Sequence, residues 1–427
     1  MSSVLSVMII IFLTLLFLGV PIFIVMAGVA MVGVLFGTNL DLFIVSKAAI
    51  DGLDSFVLLA VPGFILAGEL MNVSGITEKL VNFSDCIVGR FRGGLAYVNI
   101  LTSMIMAGMS GAAISDASAT SSVLVPAMVK RGFPKAFSVA ITAASCTIGP
   151  IIPPSGMFIL YGAITGISVG RLFAAGFIPG VLMGIFEAFV CYIIANKRNF
   201  PVGEKASFKK TLRSTQNSFF ALLMPFIIVG GLVFGVFTPT EAAAIAVFLT
   251  VIIGGLVYRN LNLTKISQAL KYASILSGSI LILVGVANSL GWIIAYLQVS
   301  KFLTAWITSI SQNKIVILLL INLFLLFLGC LMDIMAIMLI VTPIIMPIIY
   351  SLGIDPVHFG VVYVLNLMIG LITPPIGLVM FVTTSIAGIK MKEYIREIWP
   401  FIIILIILLF IITIVPELSL WLPNLVF

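Results

Sequence analysis

The sequence predicts an all-α polytopic membrane protein, and three observations support this fold class. Hydrophobic residues occupy 62% of the 427 positions and charged residues only 9%, so the polar residues cannot cover a water-soluble globule of this size. Nearly every segment between charged clusters is long enough to cross the hydrocarbon core as a helix. No ten-residue alternation typical of a membrane β-barrel is present. The bilayer is therefore expected to be the solvent of most of the chain.

The charged residues and the cysteines exclude several other classes. The net charge is +7, yet the basic residues lie in short loops between apolar segments, where they set membrane topology rather than bind nucleic acid. The four cysteines are scattered without a CxxC pair, so neither a disulfide framework nor a metal cluster is indicated. The first basic residue is Lys47, so the apolar N-terminus is expected to be a retained membrane helix and not a signal peptide.

Hydropathy and its interruptions give the individual elements. Two arms, at 74–89 and 299–313, are too polar to span, so they lie along the membrane interface or form ordinary loops. The predicted spans are about 3–18, 21–38, 55–73, 172–195, 217–237, 239–258, 273–297 and 397–422, with interrupted stretches at 95–129, 135–166, 315–351 and 356–389.

The distribution of basic residues orients the chain. The linker 196–216 carries six basic residues against one acidic residue, which places it in the cytoplasm by the positive-inside rule. If 95–129 and 315–351 are re-entrant hairpins, all but four of the 22 Lys and Arg residues lie on the cytoplasmic side. If either stretch crossed the membrane once instead, the loops after it would change sides, and the excess of Lys and Arg on the cytoplasmic side would be lost. The threading places both termini in the periplasm.

The two halves of the chain repeat each other. An offset of 221 residues aligns Gly-Pro-Ile-Ile-Pro-Pro-Ser-Gly at 149–156 with Gly-Leu-Ile-Thr-Pro-Pro-Ile-Gly at 370–377. Because the first copy begins outside and the second inside, the repeats are inverted, which is typical of alternating-access secondary transporters. The expected units are a first repeat, 1–195, with a hairpin at about 95–129 and a broken helix at about 135–166, and a second repeat, 217–427, with a hairpin at about 315–351 and a broken helix at about 356–389.

Each Pro-Pro run is expected to break a helix, since proline removes an amide donor and clashes with the preceding turn. Carbonyl groups around 149–152 and 370–373 would point partial negative charge at the gap, and the amides after Pro154 and Pro375 partial positive charge. Such a gap offers ligands for a cation and for a carboxylate. A single proline of this kind is more often a simple kink, but two breaks at corresponding places favour paired binding sites.

The hairpin tips supply further ligands. Small and hydroxyl residues run from Ser110 to Ser122 in the first tip, and Gly329 begins the second. Asp333 adds a hard anionic oxygen suited to Na⁺, and the alternative role is a helix-capping carboxylate. Asp116 is expected to be such a cap, at the start of the second arm of the first hairpin.

The predicted site therefore combines two sodium sites with substrate positions beside them. The predicted metal ligands are Ser110, Ala112, Gly149, Ile152 and Pro153 in the first half and Gly329, Asp333, Gly370 and Thr373 in the second. The predicted substrate positions are Ser115, Asp116, Pro154, Ser155, Gly156, Pro375, Ile376 and Gly377.

Two other acidic residues and the single histidine have separate interpretations. Glu241 follows Thr238 in a capping-box pattern and is expected to be structural. Glu187 lies in the middle of a span, where it faces another helix or a partner, or packs as a protonated residue. No GxxxxGK[ST] run is present for ATP, and His358 has no GxSxG serine to accompany it. An enzyme is therefore not expected.

At 108–122, 149–156, 237–244 and 370–377 the sequence resembles the large membrane subunit of tripartite ATP-independent periplasmic (TRAP) transporters. The similarity extends over essentially the whole chain. Its specific feature is the combination of a Thr-Pro-Thr-Glu-Ala-Ala-Ala turn with two Pro-Pro-x-Gly breaks. The related dicarboxylate carriers share the hairpin and broken-helix plan, but their Ser-Asn-Thr tips are not found in this sequence.

The resemblance implies an elevator mechanism of the ion-transporter-superfamily type, in which hairpins and broken helices carry substrate while the other helices form a scaffold. It also implies a bacterial inner-membrane location, Na⁺ as the co-transported ion (two or more), a small four-helix membrane subunit and a periplasmic substrate-binding protein. The expected substrate is a small organic anion, such as sialic acid or a C4-dicarboxylate. A stand-alone Na⁺/dicarboxylate symporter and a passive channel are the alternatives.

The topology can be tested with single cysteines in a variant that lacks the four native ones. A Ser207→Cys variant should react with a membrane-impermeant thiol reagent only from the cytoplasm, because the basic linker is retained there. Ser2→Cys and Asn424→Cys variants should react only from the periplasm. Periplasmic labelling of the Ser207→Cys variant would contradict the entire threading.

Overall fold

The fold is that of a computed structural model. This structure describes residues 2–203, 206–299, 311 and 313–427, without the side chains of residues 2, 3, 109 and 110. In these residues the regular structure is helical, apart from one isolated bridge between Arg92 and Val202. The prediction of an all-α protein is therefore confirmed.

Nineteen α-helices lie in the described residues. The first half contains α1 (Ser2–Phe17), α2 (Ile22–Gly37), α3 (Phe43–Leu53), α4 (Ala60–Val73), α5 (Ile76–Val88), α6 (Gly94–Ser110), α7 (Ala113–Lys130), α8 (Lys135–Cys146), α9 (Gly156–Thr165) and α10 (Val169–Lys197). The second half contains α11 (Phe208–Val233), α12 (Pro239–Ile252), α13 (Leu263–Tyr296), α14 (Lys314–Gly329), α15 (Ile334–Ser351), α16 (Pro356–Ile372), α17 (Leu378–Ala387), α18 (Met391–Ile414) and α19 (Glu417–Val426). A 3₁₀ turn precedes α4, and a π turn extends α12.

Seven helical segments of the described chain are long and apolar enough to cross a membrane, judged by length and composition. They comprise α10, α11, α13, α15 and α18, together with α4 and α12 when each is joined to its adjoining turn. Eight further apolar helices are shorter, including α8, α9, α16 and α17. The chain is therefore a multi-pass membrane protein.

Several helices extend beyond the apolar segments that predicted them. Helix α11 begins at Phe208, inside the predicted linker 196–216, where the Ser207 side chain accepts a hydrogen bond from the Lys210 amide. Helix α13 also begins earlier than its predicted span, and α3 lies in a segment for which no span was predicted. Hydropathy detects the apolar part of a helix, whereas the cap and the polar first turns lie outside that signal.

The first polar arm is helical. Helix α5 occupies most of 74–89, so the alternative of an ordinary loop is wrong for this arm. Ile76 and Leu80, one turn apart, are both buried, as expected for a helix with one apolar face. The second arm, 299–313, lies largely outside the described residues.

Two pairs of helices are joined by tight turns. The first helix pair is α6 and α7, and its tip contains Gly111 with a φ of +58°, a conformation that favours glycine. The second helix pair is α14 and α15, and its tip runs from Cys330 to Asp333. In both pairs the two helices contact each other.

Helices stop at both Pro-Pro runs. The first break, 147–155, separates α8 from α9, and the second break, 373–377, separates α16 from α17. The peptide bonds Pro153-Pro154 and Pro374-Pro375 are both cis. Helix α9 restarts with Ser155 as its cap, whereas α17 begins without a side-chain cap.

Helices α8 and α16 form the centre of the described structure. In α16, 16 of the 17 residues are buried, and in α8, 10 of the 12. A helix that is buried on all sides must carry small or apolar residues all round. Helix α8 packs against α6 and α7, and α16 packs against α14 and α15. The central helices therefore hold both helix pairs in place.

A second group of helices packs beside this centre. Helices α2 to α4 contact α12 and α13 through the pairs α12 with α4, α13 with α2, and α13 with α3 and α4, while α1 packs against α2 and α11 against α12. This group touches the first helix pair through α4 and α11, and the second through α13. The boundary between the two groups is where a cavity forms.

The capping box at the start of α12 is confirmed. The Glu241 amide donates to the Thr238 hydroxyl oxygen at 3.3 Å, and the Glu241 carboxylate accepts from the Thr238 amide at 2.8 Å. Two of the backbone donors at the helix start are thus satisfied.

A Glu241→Gln variant should keep the stability of the wild type, because a glutamine oxygen can accept the same bond. A Thr238→Ala variant loses the cap and should be destabilised by about 1 kcal/mol. The melting temperatures of the purified proteins measure both effects. A loss in the Glu241→Gln variant as large as that of Thr238→Ala would show that the negative charge has another role.

Candidate functional site

Both helix-pair tips open onto one cavity. Its volume is about 270 Å³. The first tip contributes Ala112 and Ser115, the second contributes Asp333, and Gly156 opens onto it at the start of α9. These four residues belong to the predicted metal and substrate positions. The opposite wall is formed by residues of α4 and α13, including Phe64, Tyr272 and Ile280.

The first tip rests directly on the first break. A Cβ atom added at Gly111 would overlap the carbonyl oxygen of Pro154, so the two backbones are in contact. The carbonyl groups of Gly149 and Ile152 accept no hydrogen bond from a described backbone amide. Backbone oxygens of this kind are the ligands that broken helices offer to Na⁺.

The position of Asp116 differs from the prediction. Ala112, and not Asp116, occupies the N-cap position of α7, so the prediction that Asp116 caps this helix is wrong. The helix begins four residues earlier than a cap at Asp116 requires, because the glycine turn ends at Gly111. Asp116 is buried, and its Oδ2 atom would lie 3.0 Å from a Cβ atom at Gly149. Its carboxyl group therefore packs against the first break.

The second tip meets the second break by a different contact. A Cβ atom at Gly370 would lie 2.7 Å from the Cα atom of Gly329, so the two glycines bring the backbones together. The Ile376 amide donates a hydrogen bond of 3.2 Å to the Cys330 carbonyl. The Thr373 amide donates to the Gly370 carbonyl. The second break thus has fewer unused carbonyl groups than the sequence predicted.

Asp333 caps α15 and still faces the cavity. Its Oδ1 atom accepts hydrogen bonds from the amides of Met335 (2.9 Å) and Ala336 (3.2 Å). Its Oδ2 atom accepts none in the described part of the chain, and the side chain is exposed. The capping role of Asp333 is therefore present, and one carboxylate oxygen is left for a ligand.

Other predicted positions lie away from the cavity. Ser155 is fully buried, where its hydroxyl donates to the Pro150 carbonyl and accepts from the Phe158 amide. It stabilises the first break from within. Pro375, Ile376 and Gly377 do not line the cavity. Pro153 also lies outside the lining, and the Ser110 side chain lies outside the described residues.

Three residues at the site were not predicted. The Asn72 side-chain amide donates to the Ser115 hydroxyl oxygen at 2.8 Å, and that hydroxyl lies 3.5 Å from a carboxylate oxygen of Glu69. Tyr272 lines the cavity from α13. A signal for Glu69 was present, because an acidic residue inside the apolar span 55–73 is a functional candidate by default.

The cavity has no basic side chain among its described lining residues, and Asp333 is its acidic group. A bound anion would therefore have no Lys, Arg or His to balance its charge in a site bordered by apolar residues. The groups that remain are backbone amides at helix starts, such as that of α9 at Gly156, and cations bound beside the tips. This electrostatic arrangement fits joint binding of an anion with cations.

The helical arrangement resembles that of a solved membrane transporter. The chain is similar to the YdaH transporter of Alcanivorax borkumensis, with a TM-score of 0.66 at 15% sequence identity over 90% of each chain. At this identity the similarity concerns the fold alone.

The family follows from sequence comparison. Residues 9–418 match the model of the tripartite ATP-independent periplasmic transporter, DctM component. The chain is 38% identical to the sialic acid TRAP transporter large permease protein SiaM of Vibrio cholerae, over 97% of each protein. It is 37% identical to the C4-dicarboxylate TRAP transporter large permease protein DctM of Pseudomonas aeruginosa, over 87% of each. The chain belongs to this family of large permeases; it is a multi-pass inner-membrane transport protein and not an enzyme.

The contact between the first tip and the first break can be tested at Gly111. A Gly111→Ala variant should lose stability because alanine at positive φ costs roughly 1–2 kcal/mol and the new methyl group also overlaps the Pro154 carbonyl. Gly166 is a matched control, since it has a φ of +74° and no atom near its Cβ position. A Gly166→Ala variant should therefore lose the conformational part only. Equal losses of melting temperature would mean that the tip and break are not in contact.

Proposed function

We propose that this chain is the sodium-coupled translocating subunit of a system that imports a small organic anion. The observation that carries the proposal is the cavity on which both helix-pair tips, the start of α9 and Asp333 converge. None of its described lining residues is basic. A passive channel has no need for such convergence, whereas a carrier must enclose its substrate and its coupling ions together.

The proposed sodium sites lie beside the two tips. The first would use the carbonyl oxygens of Gly149 and Ile152 with the neighbouring tip backbone at Ala112, all of them neutral ligands. The second would use the open Oδ2 atom of Asp333 together with backbone near Gly329 and Thr373. Each bound Na⁺ would add positive charge next to the cavity. The anion would then bind where the cations and the start of α9 offset its charge.

Pairwise helix contacts support inverted repeats. Helix α7 packs against α17, and α15 packs against α9. Likewise α8 packs against α18 and α16 against α10, while α2 packs against α13 and α12 against α4. Each contact becomes its counterpart when the two halves are exchanged. We infer a two-fold related architecture in which the helix pairs are re-entrant hairpins.

The position of the cavity supports an elevator mechanism. One wall belongs to the tips and the first break, and the other to α4 and α13. In the proposed mechanism the hairpins and broken helices move with their ligands, while α1 to α4 and α11 to α13 form the scaffold. The bonds from Asn72 to Ser115 and from Ser115 to Glu69 would then form in one position of the moving part and break in another.

The proposed partners and substrate rest on the family to which the chain belongs. We propose that a small four-helix membrane subunit joins this chain and that a periplasmic binding protein delivers the substrate to it. Relatives are named for sialic acid, for C4-dicarboxylates and for 2,3-diketo-L-gulonate, so we propose sialic acid or another small carboxylate such as a C4-dicarboxylate. We also propose that the linker 196–216 lies in the cytoplasm and that both termini lie in the periplasm.

The sodium site at Asp333 gives the decisive test. An Asp333→Ala variant should require at least about tenfold more Na⁺ for half-maximal uptake, because the lost anionic ligand should contribute at least as much as a hydrogen bond to a charged group, roughly 1.5–3 kcal/mol. A Ser110→Ala variant removes a neutral oxygen and should have a smaller effect. The measurement is a sodium titration of substrate uptake into vesicles that contain the small subunit and the binding protein.

An Asp333→Asn variant separates charge from capping. Asparagine is also a good N-cap residue, so α15 should stay intact, while the loss of charge should weaken Na⁺ dependence as in Asp333→Ala. Wild-type sodium dependence in the Asp333→Asn variant would assign only a capping role to Asp333. Uptake driven as well by a proton gradient alone would overturn sodium coupling, and uptake without the binding protein would favour a stand-alone symporter.

A further inference from the structure

Glu187 is a fully buried acidic residue in the middle of α10. Its relative exposure is 0%. Neither of its two carboxyl oxygens has a hydrogen-bond partner in the described part of the chain. The two ion pairs found among the described residues, Arg131 with Asp85 and Arg198 with Glu397, do not involve it. The proposed transport mechanism also gives it no role.

The surroundings of Glu187 are tightly packed. One turn before it, a Cβ atom at Gly184 would collide with the side chain of Met104 on α6. One turn after it lies Cys191, which is fully buried. Cys146 on α8, also fully buried, faces the same region. Glu187 therefore lies at the junction of α6, α8 and α10.

Four polar side chains of α6 and α8 near this junction bond to one another. The Asn99 amide donates to the Thr142 hydroxyl oxygen, and the Ser145 hydroxyl donates to the Asn99 carbonyl oxygen at 3.0 Å. Ser103 and Ser145 are joined at 3.1 Å. These side chains form a closed set and offer no oxygen cage that needs an ion.

The titratable groups around Glu187 offer no compensating positive charge. Cys146 and Cys191 face it. Beyond Cys146 lie Asp116 on α7 and Tyr394 on α18, and Tyr97 on α6 faces Cys191. All five of these groups are neutral or negative.

An ionised carboxylate without a partner costs many kcal/mol in an apolar interior, so the group takes up a proton instead. We propose that Glu187 is a proton-binding site, at which the folded chain holds one proton that is not exchanged during transport. The site is separate from the proposed sodium sites, and it does not depend on the transport mechanism proposed above. A glutamine side chain has nearly the size and polarity of the neutral carboxyl group, so it is the appropriate replacement for Glu187.

Proton binding at Glu187 links folding to pH. An exposed glutamic acid in the unfolded chain ionises above about pH 4.3, whereas the folded chain keeps the proton. The unfolded state therefore binds fewer protons, and stability falls as pH rises. For one proton, the equilibrium constant for unfolding should rise about tenfold for each pH unit above about pH 4.3. A glutamine at this position cannot ionise and removes this dependence.

The experiment compares the wild type with a Glu187→Gln variant in lipid-detergent micelles between about pH 5 and about pH 8. Relative to the variant, the wild type should lose melting temperature steadily as the pH rises. A Glu393→Gln variant is the control, because Glu393 is exposed at the start of α18 and should follow the wild type. Infrared spectroscopy of the wild type should show a protonated carboxylic acid band at about pH 8 that the Glu187→Gln variant lacks.

Uptake measurements complete the test. Sodium-driven uptake by the Glu187→Gln variant should equal that of the wild type. If the variant folds but loses uptake, the ionised form is used and the proposal is overturned. The proposal is also overturned if the wild type lacks the infrared band. This measurement is made on the wild type, so it is valid even if the variant fails to fold. If uptake by the wild type did not depend on sodium, the proposed function would be contradicted. The pH dependence of stability and the infrared band would still test the proposal for Glu187.

Discussion

Backbone that leaves a helix inside a membrane protein must find its partners within the protein, and this constraint organises the described structure. Each break is held against the tip of the helix pair from its own half. Gly111 contacts the backbone at Pro154, and Gly329 contacts Gly370. Any side chain at these glycines would push the backbones apart. Because these contacts place both tips near the centre of the molecule, the cavity between them depends on four backbone segments rather than on particular side chains.

Many of the buried polar side chains obey the same constraint. Many hydroxyl groups donate to the carbonyl oxygen one turn earlier in their own helix, as Thr250 and Thr413 do. This local bond lets an apolar helix carry a hydroxyl group without an unsatisfied donor. Others close a network between helices, as Asn322 and Asn366 do between α14 and α16. Glu187 differs from these side chains, because neither of its carboxyl oxygens has a hydrogen-bond partner in the described chain.

The two halves share a plan but differ in chemistry. At the first break the carbonyl groups of Gly149 and Ile152 remain without a backbone donor in the described chain. At the second, the carbonyl of Ile372 accepts from the Tyr394 hydroxyl, and that of Gly370 accepts from a backbone amide. A carboxylate, Asp333, faces the cavity from the second half only. In the first half, the proposed cation ligands are therefore neutral oxygens. In the second half, they include the anionic oxygen of Asp333, so the two proposed sites should differ in their affinity for the cation.

The sequence by itself determined the helical membrane class, the two interruptions, the capping box at Glu241 and the family. These features arise from local signals, namely hydropathy, proline and glycine, which act wherever they occur in the chain. Only the tertiary structure decided which residues face the cavity. Ser115 meets partners more than forty residues away in sequence, Ser155 turns inward, and Asp333 rather than Asp116 caps its helix. Side-chain direction depends on where each helix begins and how it is rotated against its neighbours, and packing between distant segments sets both.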